Sequence, residues 1–285
     1  MKKLLPILFV AFLGSHTFAQ TADLPENTGD NFSLEGALAL FKKAKSIEDF
    51  ETLINDESNN VNNLDLNNDG KTDYISIEDI TENTTHVLVL STDLSATEKQ
   101  DIATINIEKT ANEEATLQII GDADLYAENT IAEPFDTTES VQNYKGPSAP
   151  KLKIMRVFVN VWFWPSIRFM YAPTYVIWRS PYRWAFYPRW YRPWRPFKYQ
   201  NFYARCAPHR IYYHRTPTYR VITSRKLYAP RRHYSTIVVH NRRNTTIIRN
   251  NGYRGTNKNY QKHDRIQNNS KIRVQREHSN GRGRR

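Results

Sequence analysis

Cysteine is nearly missing from this 285-residue chain: Cys206 stands alone, which excludes an intrachain disulfide. Acid is nearly missing from the second half. Residues 151–285 hold 31 Lys/Arg against two acids, Asp264 and Glu277, a net charge of +29. Long apolar runs are scarce as well. Leu4–Leu13 is too short to span a bilayer, and residues 154–178 are broken by Arg156, Asn160, Pro165, Arg168 and Pro173. Each charge at mid-bilayer costs about 2.5–3.5 kcal/mol on an insertion scale, so no transmembrane helix is expected in the mature chain. A catalytic order is lacking too: the carboxylates of the first half are tied to no His or Ser in a recognisable arrangement. That favours a non-enzymatic role. The alternative is an uncharacterised hydrolase in the N-terminal domain, with the Arg/Trp region as a surface or substrate anchor.

What is present begins with an address. Lys2 and Lys3 precede the apolar run, and a cut is expected after Ala19 or Gln20, so residues 1–20 read as a signal peptide. No cysteine lies near that cut to carry a lipid. The expectation is an exported protein of the periplasm or the periphery of the outer membrane. Residues 21–150 then hold 27 Asp/Glu against 7 Lys, a net charge of −20. An acidic and a basic block on one chain attract each other, so pairing of the two halves is expected alongside any external partner.

The acidic block, residues 31–140, carries the patterning of an α+β domain. Ser33 opens a helix whose Leu34, Leu38 and Phe41 fall on one face, and Ser46 with Asp49 opens a second apolar face of Ile47, Phe50, Leu53 and Ile54. The period then changes to two. Tyr74–Ile80, His86–Ser91, Asp101–Lys109 and Ala115–Gly121 read as four strands, with Val87–Leu90 apolar on both faces and so central. One or two helices on a small antiparallel sheet is the economical arrangement. Periodicity fades after Gly121, and Gly146-Pro147 and Ala149-Pro150 mark a linker over residues 141–153.

Residues 154–200 hold all six tryptophans, interleaved with Arg, Tyr and Pro. A strand is expected at its start until Pro165 stops it, and largely irregular, extended chain beyond Pro181. Residues 201–285 read as a basic, mostly disordered tail with short β-like islands at 220–223 and 236–240, since it lacks the apolar content to offset its own ordering entropy.

Two stretches carry candidate chemistry. Asp65, Asn67, Asp69 and Asp73 place side-chain oxygens at the first, third, fifth and ninth positions around a turn at Gly70, and the Lys71 carbonyl can add another. Hard cations such as calcium take six to eight oxygens. These nine residues and the following strand resemble the calcium loops of FG-GAP/VCBS repeats and, less closely, of dockerins and EF-hands. The loop departs from the EF-hand pattern at Thr72 and Ser76 and occurs once, which argues against a propeller; without metal, it is an Asx/Gly turn. More widely, the segments LDLNNDGKTDYISI and IIGDADLY resemble those of uncharacterised secreted bacterial proteins that pair such a domain with a Trp/Tyr/Arg/Pro-rich C-terminal part; the resemblance implies no activity.

The second stretch is Trp184, Arg189, Trp190, Arg192, Trp194 and Arg195, similar in composition to Trp- and Arg-rich antimicrobial peptides. Arg pairs with phosphate and carboxylate, and aromatic rings favour membrane interfaces or stack on sugars. An anionic envelope lipid or polysaccharide is the expected partner, and export argues against nucleic acid. The competing reading makes these rings a second core packed on the acidic domain. Cys206, His209 and His214 lack a fourth ligand and read as a lone thiol with scattered histidines.

Overall fold

The computed structural model describes residues 25–142 and 151–241. The expected signal peptide (residues 1–20), residues 143–150 of the expected linker and the tail beyond 241 lie outside the described residues. Helix α1 spans Leu34–Lys43, and Ser33 Oγ accepts the Gly36 N–H at its start. Helix α2 spans Ile47–Ile54, where Ser46 Oγ accepts from Asp49 N and the Asp49 carboxylate accepts from Lys45 N. Acids in the first turns and Lys42 and Lys43 in the last turn of α1 suit the helix dipoles.

Strands β1 (Ser76–Glu82), β2 (Thr85–Asp93), β3 (Lys99–Ala111), β4 (Glu114–Gly121), β5 (Ile131–Gln142) and β6 (Lys151–Phe158) form an antiparallel sheet in chain order, and β7 (Tyr213–Thr216) adds to β5. Register sets Ile77 opposite Leu90, Ile105 opposite Ile119 and Ile107 opposite Leu117. These side chains close one core with Leu38, Phe41, Ile47 and Phe50 of the helices. The alternate positions Ile80, Val87 and Val89 form a separate cluster on the other face, which explains the two-sided apolar character of β2. The mixed α+β class, with helices on an antiparallel sheet, therefore holds.

The sheet is larger than the sequence pattern indicates. Residues 131–142 and 151–158 pair as a hairpin, so both ends of the expected linker at 141–153 belong to strands. The segment IAEPFDTTESVQ offers no apolar alternation to reveal this; its pairing comes from β4 and β6 on either side of it in the chain and from distant β7.

The aromatic region does not hang free. Val161, Trp164, Ile167 and Met170 are buried in the main core, the last two on α3 (Pro165–Met170), and the Trp164 ring meets Phe41 edge-on at 6.4 Å. Residues 178–180 then run along the outer edge of β1: Asp79 N–H donates to the Trp178 carbonyl (2.8 Å) and Ser180 N–H to the Ile77 carbonyl (2.9 Å). An exposed edge strand is thereby covered by the chain's own aromatic half.

Residues 201–241, part of the 201–285 tail expected to be mostly disordered, hold most of helix α4 (Tyr199–Arg205), all of α5 (Ile222–Tyr228) and β7. Leu227 and Tyr228 pack on the Ile80 cluster. The two β-like islands turn out helical over 222–223 and 236–240; at the second, Ser235 Oγ accepts the Ile237 N–H. A few apolar anchors, Phe202, Tyr213 and Val238 among them, are buried here, and ion pairs and hydrogen bonds to the acidic half add to them. No helix among the described residues is long and apolar enough to cross a membrane.

Trp164 should therefore behave as a core residue. Trp164→Ala is expected to cost about 3–5 kcal/mol of unfolding free energy, read from denaturant midpoints of the full chain; a loss below 1 kcal/mol would contradict the packing described.

Candidate functional site

The two stretches singled out in the sequence meet in space. Residues 65–73 form a tight acidic turn: Asp65 Oδ1 accepts from Asp69 N (3.0 Å), Asp65 Oδ2 from Gly70 N (2.9 Å) and Asp69 Oδ1 from Lys71 N (2.8 Å). Asn67 Oδ1 also accepts from Asp69 N, and Gly70 sits at φ +83°, where a side chain is strained. Asp73 turns inward, is buried, and accepts the Leu66 N–H at 2.6 Å. Burial, helped by the nearby Asp65 and Asp69 charges, pushes its carboxyl up to about 7.

These donors are oxygen-only, as calcium prefers, and the repulsion among three carboxylates is something a cation relieves. Yet their oxygens already hold backbone N–H groups, and among the described residues no group of three or more His, Cys, Asp or Glu side chains is arranged to hold a metal ion. Cys206 is buried, its Sγ lies 3.2 Å from the Asn60 carbonyl, and burial pushes its thiol up to about 11. His209 lies against the Asn59 carbonyl instead, and His214 is near Glu133.

Beside the turn, Thr72 joins the aromatic segment. Its N–H donates to the Trp194 carbonyl (2.8 Å), its hydroxyl accepts from Trp194 N (3.2 Å), and its carbonyl accepts from Tyr191 OH (2.7 Å). Tyr74 adds rings to the same place, with Tyr182, Tyr187, Trp190 and Tyr191 all within 6.3 Å of its centroid.

The candidate binding residues divide. Trp194 is 8% exposed and belongs to the Tyr74–Tyr191 cluster, which corrects its place among the rings expected to face a partner: its backbone pairing with Thr72 draws it inward. Trp184 and Trp190 are 37% and 44% exposed, and Phe186 and Tyr187 stand with them at the surface. Arg189, Arg192 and Arg195 are exposed. Arg192 donates to the Arg189 and Tyr191 carbonyls, which stiffens the turn that carries Trp190.

Four other arginines of this half are committed to acids. Arg179 pairs with Glu78, Arg215 with Glu35, Arg220 with Glu133, and Arg232 with Asp122 and Asp124. Among the described residues, none of these ion pairs uses Arg183, Arg189, Arg192 or Arg195. Tyr182 and Arg183, unmarked in the sequence, join this surface because a local turn carries them there. The His86–Asp79 pair (2.8 Å) is covered by the rings of Tyr171 and Tyr175, and Tyr175 OH donates to the same carboxylate oxygen. It is a buried polar contact of the core.

No known protein family, curated protein or solved structure matches the chain.

The raised Asp73 carboxyl sets a pH dependence. A folded-state value of about 7 against an ordinary 3.8 means the folded protein holds the proton more tightly. Its contribution to stability is full below about 4 and lost as pH rises through about 7. In chelator, Asp73→Asn should melt with the parent at pH 4 and above it at pH 8. Equal melting temperatures at both pH values would show that the carboxyl titrates normally.

Proposed function

We propose that this chain is an exported, non-enzymatic protein of the cell envelope that engages an anionic envelope component through its basic aromatic face. The reading rests on one observation: exposed Trp184, Phe186, Tyr187 and Trp190 share a surface with Arg189, Arg192 and Arg195, which no acid among the described residues neutralises. Aromatic rings beside guanidinium groups suit a lipid headgroup or an acidic polysaccharide. Residues 151–241 contain no Asp or Glu at all, so nothing within this half repels such a partner. Export to the periplasm or outer-membrane periphery belongs to the same proposal.

The full chain should bind anionic vesicles or polygalacturonate at low salt and release them towards 1 M, where the Debye length falls to about 3 Å. Each cation near an anionic surface contributes about 1 kcal/mol, so Arg189→Gln, Arg192→Gln and Arg195→Gln together should weaken vesicle binding on the order of a hundredfold and flatten its salt dependence. Absence of binding to both probes at low salt would overturn the reading.

We further propose calcium as the ligand of the turn formed by Asp65, Asn67, Asp69, Lys71 and Asp73. A ligand that binds only the folded state raises its stability. Calcium should raise the melting temperature of the parent and leave Asp69→Ala unchanged; identical parent curves in calcium and chelator would leave an Asx/Gly turn.

A further inference from the structure

The strongest feature that the sequence pattern does not mark is the turn that presents Trp184. Arg183 and Phe186 exchange both backbone hydrogen bonds, Arg183 N to Phe186 O at 3.2 Å and Phe186 N to Arg183 O at 2.8 Å. Between them Ala185 adopts φ +58°, a left-handed conformation that costs a residue with a Cβ free energy and persists only where its surroundings enforce it. The enforcement is visible. Trp184 N–H donates to Asp93 Oδ2 (3.0 Å), and Tyr182 N–H donates to Ser180 Oγ (3.2 Å). Arg183 holds its guanidinium 5.8 Å from the Phe186 ring centroid.

This turn faces the loop joining β2 to β3 across a cleft of about 470 Å³, lined among others by Ser95, Thr97, Lys99, Tyr182, Arg183 and Trp184. That volume lies within the usual range of small-ligand sites, roughly 300–1,000 Å³. Asp93 and Glu98 also line it, and both are already engaged. Asp93 holds Trp184 N–H and faces Lys99 at 4.0 Å, while Glu98 accepts from Thr236 N and Oγ1 at 3.0 and 2.7 Å. Ser95 Oγ accepts the Thr97 and Glu98 N–H groups at 3.2 and 3.0 Å. What remains is an indole and a phenol ring, the Ser95 O–H as a donor, the Thr97 hydroxyl, and the Arg183 guanidinium, which carries no acidic partner among the described residues.

We infer that this cleft is a saccharide site that takes an acidic pyranose of an envelope polysaccharide. Ring faces stack on the apolar side of a pyranose, the Ser95 hydroxyl can donate to and the Thr97 hydroxyl donate to or accept from its hydroxyls, and a guanidinium reads a carboxylate in two parallel hydrogen bonds. A bilayer is the poorer occupant, because insertion requires rings that project from a convex surface, whereas Trp184 forms a wall of a recess. The inference rests on the anionic-partner reading above and selects saccharide over lipid.

The test uses the full chain with three probes at moderate salt: polygalacturonate, a neutral galactan, and vesicles containing an anionic lipid. The parent should bind polygalacturonate at least roughly tenfold more tightly than galactan. Trp184→Ala and Arg183→Gln should each weaken polygalacturonate binding by more than roughly tenfold, as truncating a ligand-contacting anchor does, while vesicle binding falls by no more than about fivefold, the share of one group on an anionic surface. Melting temperatures check that both variants fold, and Arg183, being exposed, keeps the test open where Trp184→Ala does not. Parental affinity in both folded variants, or equal losses on vesicles and polysaccharide, overturns the cleft assignment. Binding of the parent to vesicles alone overturns it too and leaves the anionic-partner reading standing. Binding to none of the three at low salt removes both.

Discussion

Buried carboxylates need donors, and in this protein the donors come from the other half of the chain. Glu51 is 2% exposed and accepts from Tyr74 OH and Ile77 N near it, then from Trp178 Nε1 (3.1 Å) and Ser180 Oγ (2.6 Å) of the aromatic segment. Asp79 takes Tyr175 OH; Asp101 takes Tyr228 OH and His233 N–H; Asp122 takes Arg232; Glu133 takes Arg220. Burial pushes the Glu51 carboxyl up, and its four hydrogen bonds oppose that push. Removing one partner from a buried charged contact costs about 3–5 kcal/mol. The acidic domain thus has several positions at which the absence of the second half is expensive.

The charge division of the sequence follows from this arrangement. Attraction between net −20 and net +29 is unspecific, and screening by salt limits it. Specific docking comes instead from a few short contacts around the sheet. Trp178 and Ser180 cap the β1 edge, Arg220 and Arg232 clamp acids at β5 and beyond β4, and Tyr228 reaches Asp101 across the outer face. Of the 15 Lys/Arg in residues 159–241, four engage acids through the pairs of Arg179, Arg215, Arg220 and Arg232. Most of the positive charge therefore stays at the surface, which separates the cations that build the fold from those open to a partner.

Helices α1 and α2 and strands β1 to β4 were legible because their signals are local: Ser33 and Ser46 as caps, and alternation at Ile75/Ile77 and Ile105/Ile107. Strand β5 was not, because its own residues are polar and part of its pairing comes from distant β7. The aromatic segment was legible only as a choice between core and surface. Structure divides it residue by residue, with Trp164 and Trp194 inside and Trp184 and Trp190 outside. Composition cannot make that division; it depends on contacts such as Thr72 to Trp194, 122 residues apart. The left-handed Ala185 is equally invisible, since nothing local favours that conformation in alanine.

Thr72 is where the acidic turn and the aromatic face become one object. Two residues before it, Gly70 closes the turn; its own N–H, hydroxyl and carbonyl hold Trp194 and Tyr191. Tyr191 in turn lies 6.4 Å from the Trp190 ring centroid. A cation at the turn and an anion at the aromatic face would thus both act on one short backbone segment. Any free energy that one ligand adds to the other's binding is returned in equal measure, because coupling between two sites is reciprocal. The sign follows from charge: a cation reduces the negative charge of Asp65, Asp69 and Asp73, leaving the neighbouring surface more positive for an anionic partner.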